Sequence, residues 1–156
     1  MSDDLKTLLT DEHLAWIGQE EPPVTVEVSR RDIVKYSIAT EQVQRKYLIG
    51  DEAPPMFVFN LFGPMVELKD LRTDGLPKGQ GGGPRMPLQR VMAGGTEIRQ
   101  YQPIHPGDRL VGIRSITDMF EKQGSTGPLI FTVRTLSVTN EAGSSVLDEI
   151  QTSINR

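Results

Sequence analysis

The sequence has no cysteine, two histidines and one tryptophan. Without thiols the chain forms no disulfide or cysteine nucleophile, and two isolated histidines offer none of the usual ligand spacings, so we expect no metal. No apolar run approaches the ~20 residues of a membrane-spanning helix. The start of the chain lacks a basic segment followed by an apolar one, as a secretory signal requires. We therefore expect no membrane association and a cytoplasmic location.

The chain has fewer basic than acidic residues: 17 Lys and Arg and 21 Asp and Glu give it a formal net charge of −4. Nucleic-acid binders concentrate positive charge to release counterions, so a nucleic-acid partner is not expected. We interpret the arginines near the predicted strands as solvated strand residues. An anionic phosphate or a pantetheine-linked carrier as their ligand is the alternative. These residues are Arg85, Arg90, Arg99, Arg109 and Arg114.

A chain of 156 residues has the length of one domain. Apolar periodicity and turn residues predict a helix over 8–17 ended by Gly18, a strand over Val24–Val28, a helix over 30–47 and a short helix from Met56 to about Phe62. The last is apolar on all sides, which predicts that other elements surround it. Four long strands are predicted over 87–103, 109–123, 127–139 and 145–155.

Turn chemistry fixes the connections in this prediction. Pro106, Gly107 and Asp108 are typical of a tight turn, which predicts that the strands on either side of it pair as a hairpin. The glycine-rich stretch over about 74–86 predicts a flexible loop, and without a Gly-Lys-Ser/Thr ending it does not indicate a phosphate loop. In the last strand, Asp148, Ile150, Thr152 and Ile154 alternate with polar residues, which predicts one core face and one solvent face.

Several short segments follow one another along the chain in an informative order: Leu14–Gly18, Ala53–Phe57, Ala93–Glu97, Pro103 with Pro106–Leu110, and Gly127–Phe131. Their order and spacing resemble the FAS1-like, N-terminal dehydratase domain of the MaoC-like family, the (R)-specific enoyl-thioester hydratases. The resemblance covers nearly the whole chain. It implies an α+β hot-dog fold over residues 1–156, in which a long antiparallel sheet wraps around a central buried helix.

The resemblance also implies a catalytic motif, Gly-Asp-x-Asn-Pro-aliphatic-His, whose Asp and His hold the water that adds to a 2-enoyl thioester. Aligned on Tyr36, the motif places Glu41 at the Asp position and Lys46 at the His position. A lysine with its usual pKa near 10.4 is protonated at neutral pH and accepts no proton from water. Glu41 is thus the one catalytic candidate, and the alternative is a solvated helix residue that pairs with Arg45.

Backbone N–H groups at the start of the family's central helix stabilise charge on the thioester oxygen, which makes Pro55, Met56 and Phe57 candidates for substrate binding. A purely structural role is equally consistent with their apolar character. Gly94 and Gly95 permit either close approach of an acyl chain or a β-bulge. His13 and His105 are interpreted as surface or packing residues.

These inferences predict a subunit of a heteromeric 2-enoyl-CoA hydratase, or 3-hydroxyacyl-thioester dehydratase, of fatty-acid or steroid side-chain metabolism. Its partner would be a second hot-dog subunit that bears the catalytic Asp and His, in a heterodimer or heterotetramer. The substrate is an acyl-CoA or acyl-carrier thioester, and no cofactor is expected beyond the CoA or pantetheine that the substrate carries. Two alternatives stay open: a self-sufficient homodimeric hydratase that uses Glu41, and a non-catalytic module that binds acyl thioesters.

Overall fold

The computed structural model describes residues 7–63, 65–75, 77–78 and 82–156. Part of the predicted glycine-rich loop, residues 76 and 79–81, lies outside them. In chain order the elements are α1 (Asp11–Leu14), β1 (Val24–Glu27), α2 (Arg30–Ala39), α3 (Arg45–Leu48), a 3-10 turn (Pro55–Phe57), α4 (Val58–Leu61), a second 3-10 turn (Leu68–Asp70), β2 (Val91–Gln100), β3 (Arg109–Gly124), β4 (Gly127–Asn140) and β5 (Ser145–Asn155).

The five strands form one antiparallel sheet in the order β1-β3-β4-β5-β2. The predicted strands are confirmed to within a few residues, except that β2 is shorter than predicted. The hairpin predicted around Pro106 and Gly107 is wrong, because the two strands on either side of this turn, β2 and β3, do not pair. β2 pairs with β5, and β4 and β5 lie between it and β3.

The segment between β2 and β3 crosses over the other strands, and its backbone groups hydrogen-bond to distant parts of the chain. The Gly107 N–H donates to the Val28 carbonyl, and the Val28 N–H donates to the Asp108 carbonyl, each at 2.8 Å. The Ala53 N–H donates to the Ile104 carbonyl at 2.8 Å. Gly107 still takes the positive φ expected of it, 90°, but the turn joins strands that do not pair.

Helices cover one end of the sheet over the larger core, which includes Ile33, Phe57, Val58, Leu136 and Leu147. The predicted central helix exists as the 3-10 turn followed by α4. The prediction that other elements surround it is wrong for the isolated chain, because Met56 is 38% and Phe59 is 53% exposed.

A second, smaller core lies at the other end of the sheet, where Leu9 meets Ile116, Met119 and Ile130. Its cover is the N-terminal segment, which is less helical than predicted: α1 begins after Thr10 and spans four residues. Leu9 precedes it with its N–H bound to the Glu121 carboxylate at 2.7 Å, and this contact to β3 replaces the expected helical hydrogen bonding. None of the helices in the described part of the chain is long and apolar enough to cross a membrane.

Candidate functional site

The continuous helix predicted over 30–47 is wrong, and the break falls within the motif segment. α2 begins at the Ser29 cap, whose hydroxyl accepts from the Asp32 N–H at 3.0 Å, and it ends at Thr40. The Thr40 hydroxyl donates to the Tyr36 carbonyl at 2.8 Å. Glu41 then takes φ = 54°, and α3 begins only at Arg45. Helix propensity alone did not reveal this break, because the residues at 40–44 are all tolerated within a helix.

The backbone at the break favours a motif register one residue later than the alignment on Tyr36. Glu41 has the left-handed φ that suits the motif's glycine. Gln44 is the N-cap of α3 and Arg45 is its first residue, the places favoured by the motif's asparagine and proline. In this register Gln42 takes the position of the Asp and Tyr47 the position of the His. Neither side chain is a general base at neutral pH.

Lys46 and Glu41 hold the His and Asp positions in the alignment on Tyr36. The Lys46 ammonium donates to the Glu52 carboxylate at 2.7 Å and lies 4.9 Å from the centre of the Tyr47 ring. The hydrogen bond that Lys46 donates to Glu52 raises the pKa of Lys46, so the lysine keeps its proton. Glu41 is exposed, and among the described residues it forms no ion pair with Arg45, because the break removes the i,i+4 relation. Its catalytic role stays a prediction.

The start of the central helix is built from Pro54, the N-cap, and Pro55, the first residue of the turn. Neither proline has an N–H, so neither can donate to an oxyanion there. The Phe57 N–H donates back to the Pro54 carbonyl at 2.9 Å. The Phe57 ring is 3% exposed and meets Tyr36 edge to face, with 5.6 Å between ring centres. Met56 is the candidate here whose side chain is most accessible.

Gly94 and Gly95 lie at a β-bulge in β2, where the register with β5 shifts between Ala93 and Gly95. A Cβ at Gly94 would lie 3.0 Å from the Thr152 carbonyl oxygen, so a side chain here would crowd the backbone of β5. A Cβ at Gly95 would meet nothing within 4 Å. The structural alternative therefore explains Gly94, whereas contact of Gly95 with substrate stays a prediction.

The two histidines make local structural contacts. His13 Nδ1 accepts from the Thr10 N–H at 3.0 Å, and its Nε2 lies 3.2 Å from the Arg85 carbonyl, so it joins α1 to the loop before β2. The His105 N–H donates to the Asp108 carboxylate at 2.8 Å. His105 also lines an open cavity of about 420 Å³ between the crossover and the turn after β4. None of the substrate-binding candidates lines this cavity.

The sequence prediction missed a band of polar side chains on the core face of the sheet. In β5 the most buried polar residues are Glu149, 3% exposed, and Asn155, 6% exposed, while Ile150 and Ile154 are half-buried. The expected assignment of the apolar set to the core is therefore wrong. Alternation placed Glu149 on the same face as Leu147, two residues away, but it did not tell that this face is the buried one. Burial raises the pKa of Glu149.

We define the polar band as six side chains that lie between the two cores on this face: Thr96, Arg114, Thr132, Arg134, Glu149 and Gln151.

Among curated proteins, a mesaconyl-C(4)-CoA hydratase from Chloroflexus aurantiacus is 30% identical to this chain over 121 residues. The match covers 76% of this chain and 42% of the relative, so the chain spans less than half the length of that protein.

Two solved structures show the fold. A MaoC-like dehydratase from Phytophthora capsici matches with a TM-score of 0.66 at 18% identity, over 94% of this chain and 49% of that chain. A subunit of the HadBC (3R-hydroxyacyl-ACP dehydratase) complex from Mycobacterium tuberculosis matches with a TM-score of 0.64 at 17% identity, over 90% of this chain and 97% of that chain. The predicted α+β hot-dog fold is confirmed.

The family model described as FAS1-like, dehydratase domain region matches residues 15–149, which include the helix break, the central helix and nearly the whole sheet. The chain belongs to this family of hydratases and dehydratases.

Proposed function

We propose that this chain is the subunit, without a catalytic Asp and His of its own, of a heteromeric 2-enoyl-CoA hydratase (3-hydroxyacyl-thioester dehydratase). The observation that carries the proposal is the helix break at Glu41. Its backbone has the shape that the catalytic motif requires, yet Gln42, Lys46 and Tyr47 occupy it. In this proposal the chain keeps the scaffold of the site but lacks its acid and base.

The chemistry explains why this matters. Hydration adds the hydroxyl of water to C3 of the enoyl thioester and a proton to C2, so a group must first accept a proton from water. An effective general base has a pKa near the operating pH. Lys46 fails because its pKa is raised by Glu52. The proton transfers would therefore belong to the partner subunit, and this chain would position the acyl group.

Strand β2 offers the surface through which such a partner would join. It spans ten residues and ends the sheet, so one side of it pairs with β5 and the other carries free backbone groups. Val91 is 66% and Met92 is 38% exposed on it. A long, apolar, uncovered edge strand normally pairs with another chain. Pairing here would place Gly95 at the subunit interface, and it would leave the exposed Met56 and Phe59 available for contact with the partner or substrate.

The comparisons support a two-part assembly. The curated relative and the Phytophthora protein are both about twice as long as the part that this chain matches, which leaves room for a second domain of this size. The Mycobacterium structure is a complex of separate chains. We propose the second arrangement, as a heterodimer or heterotetramer in the cytoplasm, with an acyl-CoA or acyl-carrier thioester of fatty-acid or steroid side-chain origin as substrate.

The decisive experiment combines this chain with a hot-dog chain that carries the intact Gly-Asp-x-Asn-Pro-x-His motif and is encoded beside it. We expect the two to co-purify, and we expect 2-enoyl-CoA hydration only when both are present. Replacing the partner's motif Asp by Asn should abolish turnover, whereas Glu41→Gln in this chain should not.

Two other outcomes would contradict the proposal. Hydration by this chain alone that is lost in Glu41→Gln would establish the homodimeric enzyme. Tight acyl-CoA binding without turnover in any combination would establish a binding module.

A further inference from the structure

One row of the polar band forms a track from the β2 edge into the protein. Thr96 pairs with Gln151 and Gln151 pairs with Arg134, so the three side chains point to the same face. Thr96 is exposed, Gln151 and Arg134 are half-buried, and the row ends at Ile116, which is 3% exposed. Thr96 and Arg134 are two strand spacings apart, about 10 Å. The track therefore starts at the edge where the partner would bind.

Two polar atoms at the inner end of the track have no hydrogen-bond partner among the described residues. They are Arg134 Nε and Thr132 Oγ1, both buried. Thr132 is 1% exposed. The two residues are two positions apart on β4, so they lie on one face and about 7 Å from each other. Buried polar groups are nearly always paired, so two orphaned atoms on one face call for a polar group that the chain itself does not supply.

The charges around Arg134 leave the Nε of its guanidinium without a partner among the described residues. Burial lowers the pKa of Arg134, and the nearby charge of Glu21 opposes this shift more weakly. Glu21 forms no ion pair with it among the described residues, and the Arg134 Nη2 contact to the Gly82 carbonyl is 3.5 Å long. From β5, Glu149 accepts instead from Gln151 at 2.7 Å. From β3, Arg114 adds a second positive charge beside Glu149.

We propose that the polar band binds a carboxylate at the far end of the acyl group, so that the heteromeric enzyme hydrates enoyl thioesters of dicarboxylic acids. This inference rests on the proposed function. A guanidinium presents a planar fork that matches a carboxylate, and the Thr132 hydroxyl supplies a further donor. The acyl group would enter from the β2 edge past Thr96 and Gln151, with its thioester at the partner's catalytic residues.

The test uses the reconstituted complex and two substrates that differ only at the far end of the acyl chain. These are 2-octenoyl-CoA and the CoA monothioester of 2-octenedioic acid. We expect the wild-type complex to have the higher kcat/KM for the carboxylate-bearing substrate. Arg134→Met should lower the ratio of the two kcat/KM values at least about tenfold, as expected for a lost hydrogen bond to a charged group. Arg31→Met removes an exposed charge outside the band and should leave the ratio unchanged.

Stability and a second variant separate binding from folding. Arg134→Met should unfold at the same or a higher temperature, because an apolar side chain replaces an unpaired guanidinium. Thr132→Val should lower the ratio severalfold without a change of shape. An unchanged ratio in both variants, or marked destabilisation by Arg134→Met, would overturn the inference. If neither substrate is hydrated by the wild-type complex, the proposed function itself fails.

Discussion

Replacing Glu41 by glycine tests whether the helix break has the backbone shape that the register argument needs. A non-glycine residue in the left-handed region costs about 1–2 kcal/mol, and Glu41 sits there with φ = 54°. Glycine removes that cost but loses about 0.5–1 kcal/mol of backbone entropy on folding. The Glu41 side chain is exposed, so little packing is lost. We therefore expect Glu41→Gly to raise the free energy of unfolding by roughly 0.5–1 kcal/mol.

For a domain of this size the gain corresponds to a rise in Tm of about 1–4 °C, which calorimetry or circular dichroism resolves. The matched control is Gln42→Gly, at the next position, where φ is not positive. There glycine brings only its entropic cost, together with the loss of the 3.2 Å hydrogen bond from Gln42 to Thr40, and it should lower Tm. Equal losses of Tm in both variants would refute the left-handed conformation at Glu41 and with it the register.

Three further predictions concern stability. Gly112→Ala should cost about 1–3 kcal/mol by overpacking, since its Cβ would lie 2.6 Å from the Phe62 ring; an unchanged urea midpoint would contradict this contact. Glu149 has a raised pKa in the folded state. Its contribution to the stability of the fold is therefore fully present below pH 4.5, the usual pKa of a glutamate, and is lost as the pH rises through the raised pKa. Glu149→Gln should therefore raise Tm at neutral pH and not at about pH 4, and a pH-independent difference would argue against it. Leu9→Ala should cost about 2 kcal/mol, measured by urea unfolding, unless the N-terminal segment is detached from the second core.

Local chemistry was enough to place the strands and most turns. Gly107, for example, takes a positive φ in the turn that was predicted around it. Period-two alternation defined the strands because side chains of a strand point alternately to two faces. Thr10 and Ser29 are the N-caps of α1 and α2, positions that Thr and Ser side chains favour. The absence of a Gly-Asp-x-Asn-Pro-aliphatic-His segment was likewise evident from residue types alone.

Tertiary structure decided what these elements contact. β2 pairs with β5 and not with β3, the next strand in the chain. The backbone of the crossover between β2 and β3 forms its hydrogen bonds with Val28 and Ala53. The strand face that holds Glu149 turned inward because it shares that face with Leu147, and alternation alone does not tell which face is buried. The orphaned atoms of Thr132 and Arg134 came to one face only when the sheet was assembled, since burial and pairing depend on residues distant in the chain.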